Sequence, residues 1–150
     1  TLQAQRALWN AERSGEVIAG SVVFNDDDPH GMRRAGQDLR GSISLVCRGS
    51  PDGHFAPFAL KAHNAARRGA EAVFVINQEG PLPRHILGGG ALWGDLRTAW
   101  LTRSCGFPPI PLLMLPHEEG IRLRDAVQEK AVVSAEFQVI PDSYPRRTLR

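Results

Sequence analysis

Apolar positions along this chain fall into short runs, some alternating and some continuous, separated by clusters of turn formers. Residues 16–25 (EVIAGSVVFN) are rich in β-branched and aromatic side chains and predict a strand, with Gly20 marking a bulge or bend inside it. Asp26-Asp27-Asp28-Pro29-His30-Gly31 is turn chemistry, and residues 32–40 show neither a strand nor a helix period, so they are expected to be loop. In residues 41–47, Ile43, Leu45 and Cys47 alternate with Ser42, Ser44 and Val46, the pattern of a short strand closed by Arg48-Gly49-Ser50-Pro51-Asp52-Gly53. Residues 55–68 then place Phe55, Phe58, Ala62 and Ala65 at helical spacing, with Arg67 and Arg68 in the last turn and Gly69 as the stop. Residues 72–77 (AVFVIN) form a continuous apolar run, as in a strand covered on both faces. Strand, helix and strand make a βαβ unit, so the two strands are expected to be parallel with a right-handed crossover.

Residues 78–109 break this rhythm with Pro81, Pro83, Gly88-Gly89-Gly90, Gly94, Pro108 and Pro109, and form a connection far beyond the usual four to six residues. Its aromatics Trp93, Trp100 and Phe107 either fold back on the core or serve a partner as anchors. A buried strand at 110–115, a helix beginning at Pro116 with Glu118 and Glu119 in its first turn, and a strand at 132–140 complete the pattern. Residues 141–150 have the composition of an exit linker, and the first dozen residues fit either helix or strand. Residues 1–140 are therefore expected to be one domain.

Composition narrows the classes. Of 150 residues, 42% are hydrophobic and 23% charged, which excludes disorder and disulfide-dense miniproteins. A net charge of +2 is too small to make nucleic acid the default partner. No run approaches the roughly 18 apolar residues that cross a bilayer, so no direct membrane insertion is expected. The chain begins at Thr1 and is expected to be a piece of a longer protein. Cys47 and Cys105 allow one bridge at most and lie outside any CxxC pair; each is read either as a buried thiol or as one half of a disulfide.

Candidate chemistry is sparse. Asp26-Asp27-Asp28 with His30 offers oxygen and imidazole ligands but lacks the alternation and closing Glu of a calcium loop, so a solvated turn is the better description. Gly88-Gly89-Gly90 is followed by no Lys-Ser/Thr pair and no helix pattern, so it is not a phosphate loop. Cys47 with His54 or His63 is a conceivable thiolate and base, yet Cys47 falls on an inward strand position where burial blunts it. GxSxG and HExxH are absent, and His85 and His117 sit at a loop and a helix start. No cofactor or metal is expected.

Four segments in sequence carry a resemblance. Gly41-Ser42-Ile43-Ser44-Leu45-Val46 with Arg48-Gly49, and Phe55 beyond, is similar to the G-x-I-x-L-V-x-R-G strand and turn of the protease-associated (PA) domain. Leu60-Lys61-Ala62 with Asn64-Ala65 resembles its K-x-x-N-A helix. The segment from Gly69-Ala70 to Ile76-Asn77 resembles its next strand, and that from Ile110-Pro111 to Glu119-Gly120 and Leu123 its I-P segment. Residues 41–127 match best. The family's Cys between R-G and the aromatic is missing here, where Ser50-Pro51-Asp52-Gly53-His54 fills the interval.

The resemblance implies an α/β swivelling fold: a mixed sheet or open barrel of about six or seven strands flanked by two main helices. It also implies a non-catalytic interaction or substrate-lid module of a larger secretory-pathway, endomembrane or extracellular protein, binding polypeptide or glycoprotein. Arg48, His54, Phe55, Trp93, Arg97 and Trp100 are the expected partner-binding residues, combining cationic forks with aromatic anchors. The alternatives are a structural domain packed on its parent protease or glycosidase, and a stand-alone hydrolase, against which the missing motifs argue.

Overall fold

A computed structural model of the chain describes residues 4–54, 56–83, 86, 108–129 and 132–139. Six strands form one mixed sheet: β1 (Gln5–Arg6), β2 (Val17–Phe24), β3 (Ser42–Cys47), β4 (Ala72–Ile76), β5 (Leu112–Leu115) and β6 (Ser134–Gln138), in the order β1-β5-β4-β3-β2-β6. The inner four are parallel, and β1 and β6 pair antiparallel at the two edges. Helix α1 (Phe58–Arg67) connects β3 to β4, and α2 (His117–Gln128) connects β5 to β6.

The continuous apolar runs have a direct cause in this arrangement. Side chains alternate across a strand. Val46, Val73, Val75, Leu112 and Met114 therefore pack on one face with Ala62 and Ala65 of α1, Leu39 and Trp9. Ile43, Leu45, Ala72, Phe74, Ile76 and Leu115 face the other way, where Ile121, Leu123 and Val127 of α2 and Phe137 of β6 meet them. The Phe74 and Phe137 rings lie 5.8 Å apart at a tilt of 50°. Each large core side chain contributes about 1.5–3 kcal/mol, and β4, buried at every position, is the centre of both layers.

Local differences from the sequence expectations have local reasons. Helix α1 starts at Phe58 because Pro57 is held extended at φ −62° and ψ 135°. It ends as expected at Gly69: Gly69 N–H donates to Ala66 O and Ala70 N–H to Ala65 O, the paired bonds of a Schellman stop. At Gly20 there is no bulge, since β2 pairs with β6 without interruption from Val17 to Ser21. Glycine is required there by proximity, because a Cβ at position 20 would lie 2.7 Å from the Gly41 carbonyl oxygen.

The N-terminal segment is both strand and helix, with β1 followed by a 3-10 turn at Leu8–Arg13. Buried Asn10 uses its amide as a piece of strand: Nδ2 donates to Leu112 O at 2.9 Å and Oδ1 accepts from Leu112 N at 3.0 Å. Trp9 Nε1 donates to Ile110 O beside it. Of the long connection, Ile86 is fully buried and bridges Ala7.

Candidate functional site: the loop rim at the strand ends

Parallel strands β2 to β5 end at the same edge of the sheet, the edge where open α/β sheets commonly place their ligands. The loops that leave it are laced together by buried and half-buried polar side chains. Asn77, directly after β4, is 2% exposed. Its Oδ1 accepts from Arg48 Nη1 at 2.9 Å and its Nδ2 donates to Pro81 O at 3.2 Å. Its backbone carbonyl lies 2.9 Å from His117 Nδ1, so that nitrogen carries the proton, while His117 Nε2 lies 3.9 Å from the exposed Glu79 carboxylate. Arg48 adds a stack, its guanidinium 5.6 Å from the centre of the Phe58 ring.

Lys61 is the second lace, 1% exposed on α1. Its Nζ donates to His30 O at 2.5 Å and to Gly49 O at 2.6 Å, tying the loops after β2 and β3 to the helix. Asn64, one turn on, donates to Gly31 O at 3.1 Å. The Lys-x-x-Asn spacing is thus what one helix face needs to satisfy carbonyls in two crossing loops. Burial pulls the Lys61 ammonium down to about 8. Asp28, also buried, accepts from Met32 N and Arg33 N.

Chemistry at the rim is muted. Burial pushes the Cys47 thiol up, outweighing Arg124 and Lys61, so Cys47 is a free, protonated and weak nucleophile. Ser50 directs its hydroxyl at the Asp52 carboxylate and the His54 carbonyl, and His54 N donates to Asp52. The Ser50 bond holds the Asp52 carboxyl below its usual range. In a serine triad the imidazole lies between hydroxyl and carboxylate; here the hydrogen bonds that join His54 to Ser50 and Asp52 run through its backbone O and N–H.

The Asp26–His30 turn, expected to be solvated, does not bring its carboxylates together: Asp26 accepts from Gln128 of α2, and Asp28 is buried and accepts from the Arg33 N–H. Among the described residues, no three His, Cys, Asp or Glu side chains gather to hold a metal, and no helix is long and apolar enough to cross a membrane.

Of the expected partner-binding residues, the structure places Arg48 inside the brace at the root of the rim and His54 exposed at its tip. Phe55, Trp93, Arg97 and Trp100 lie outside the described residues, as does Cys105. Asn77 and His117 had no role assigned from sequence. Nothing in a sequence distinguishes a strand-end Asn that bonds three loops from one that caps a turn.

The family model of the PA domain matches residues 13–123. The chain belongs to the PA domain family. Among solved structures, it resembles an aminopeptidase from Aneurinibacillus sp. strain AM-1 at 21% identity and a TM-score of 0.66, over 93% of this PA domain and 28% of that chain. It also resembles a zinc aminopeptidase from Bacillus subtilis at 20% identity and a TM-score of 0.52, over 82% of this chain and 25% of that one. These likenesses are of fold, and this chain spans about a quarter of either aminopeptidase. No curated protein matches the sequence. The family's Arg-Gly, Lys-x-x-Asn and strand-end Asn positions are occupied here by the residues that brace the rim: Arg48, Lys61, Asn64 and Asn77.

Proposed function

We propose that this PA domain is a non-catalytic accessory module of a larger protease of aminopeptidase type. Its loop rim engages polypeptide or glycoprotein substrate and positions it for a neighbouring catalytic domain. The observation that carries this reading is the use made of the rim's polar groups: Arg48, Lys61, Asn77 and His117 are spent on holding loops in place. A rim braced from beneath presents exposed His54, Gln78 and Glu79 on a preorganised surface, which lowers the ordering cost of binding. Phe55, Trp93, Arg97 and Trp100 belong to the proposal on the strength of their residue types as anchors. A secretory-pathway or extracellular location goes with it.

Two measurements test the proposal. The purified chain, with or without added zinc, is expected to give no hydrolysis of leucine p-nitroanilide above buffer; turnover would refute the non-catalytic assignment. In the parent protein, Trp93→Ala with Arg97→Ala is expected to raise KM for a long peptide at least about tenfold. Hydrolysis of a dipeptide-sized substrate and the thermal midpoint should stay unchanged. A fall in the midpoint with both substrates equally affected would instead support a structural domain packed on its parent.

A further inference from the structure

At the opposite end of the sheet from the rim, residues 34–40 and the end of α1 enclose an open groove of about 500 Å³. Among the described residues, four arginines line it, Arg34, Arg40, Arg67 and Arg68, against one carboxylate, Asp38. That carboxylate is engaged, bonded to Arg40 Nη2 at 2.9 Å, and the pair holds Asp38 below and Arg40 above their usual ranges. Arg34 and Arg67 are exposed and carry no bond or ion pair among the described residues.

Arg68 forms the floor. Its side chain is 7% exposed, its Nε donates to Gln37 O at 3.0 Å, and its Nη1 lies 3.6 Å from Asp28. Its Nη2 is buried with no acceptor, an unfilled demand for an anionic or carbonyl oxygen. Gly36 lies over it with φ +148°, and a Cβ there would come within 3.3 Å of Nη2, so glycine keeps the cover thin.

We propose that this groove binds an acidic polypeptide segment through its carboxylates, as a second interaction surface independent of the rim. A carboxylate matches the planar fork of a guanidinium, and a chain carrying several of them can meet Arg34 and Arg67 together over the buried positive charge of Arg68. The site suits single charges spread along a chain better than a phosphate. It is built at the C-terminal end of α1, where the helix dipole disfavours a compact multiple charge. Among the described residues, no aromatic side chain lines the groove to stack a base.

The test is fluorescence anisotropy of a labelled octaglutamate peptide titrated with the full chain, with octaglutamine as the uncharged control. Saturable binding of octaglutamate alone is expected, weakening at least about tenfold in 0.5 M salt. Arg34→Gln with Arg67→Gln, both at exposed positions, should weaken it by a similar factor, while Arg122→Gln on α2 should leave it unchanged. Equal binding of the two peptides, or an equal loss with Arg122→Gln, would overturn the proposal. So would tighter binding of octathymidylate, which would mark the groove as a phosphate site. Peptide binding here does not depend on the rim, so this proposal and the accessory-module reading fail separately.

Discussion

A lysine in the interior of a helix-sheet layer is an expensive residue, and Lys61 is tolerated because its donors meet two loop carbonyls. Deprotonation leaves two N–H groups for the same two oxygens, so the neutral amine keeps the lace while losing the cost of a buried charge. The folded value of about 8 lies below the ordinary 10.5, so between those pH values the unfolded chain binds more protons than the folded one. Stability from this group therefore rises with pH across that window. The denaturation midpoint of the wild type should climb from pH 8 to 10.5 relative to Lys61→Met. A constant difference would show that Lys61 is solvated. At pH 7 the Lys61→Met variant, with both carbonyls stranded, is expected to lose about 2 kcal/mol in urea titration. The spacing of Lys61 and Asn64 was legible in the sequence. Their partners were not, because the acceptors are backbone oxygens of His30, Gly31 and Gly49, and a carbonyl has no signature in the residue type that carries it.

At the scale of elements, every strand from β2 onward and both helices lie where the hydrophobic pattern puts them, within about three residues at the ends. The misplaced features are contacts between elements. Gly20 looks like a bulge in a one-dimensional pattern but is set by the Gly41 carbonyl of the next turn. Gly120 is similar. It lies inside α2, where alanine would normally favour the helix, yet a Cβ there would approach Ile76 Cγ2 to 2.6 Å and Cγ1 to 2.9 Å. Gly120 thus sets how closely α2 lies on β4. Gly120→Ala is expected to destabilise by about 1–3 kcal/mol. Combined with Ile76→Ala, which removes the obstructing carbons, its cost should shrink by at least about 1 kcal/mol in a double-mutant cycle. Strict additivity would show that the helix shifts freely and that the contact is unimportant.

For the whole molecule, the sheet order implies a gradient of protection. Strands β3 and β4 have a partner on each side and apolar cover on both faces, whereas β6 is an edge strand whose alternate residues are exposed. Hydrogen exchange followed by mass spectrometry should find amides of 43–47 and 72–76 slowest and those of 134–138 faster by at least about tenfold. Uniform exchange would mean that the sheet opens only as a unit. The same sheet separates two ends with different characters, a braced rim at the strand ends and an arginine-lined groove at the strand starts. By itself the sequence settled what depends on near neighbours in the chain: strand and helix periods, the Gly69 stop, the parallel pairing of β3 with β4 and the family words of residues 41–127. Tertiary structure alone decided what depends on distant atoms meeting: the placement of β1 and β6 at the edges, Asn10 paired to Leu112, Asn77 joining Arg48 to His117, and the four arginines of the groove. Periodicity is written residue by residue, whereas an unpaired carbonyl or a converging charge exists only once the chain has closed on itself.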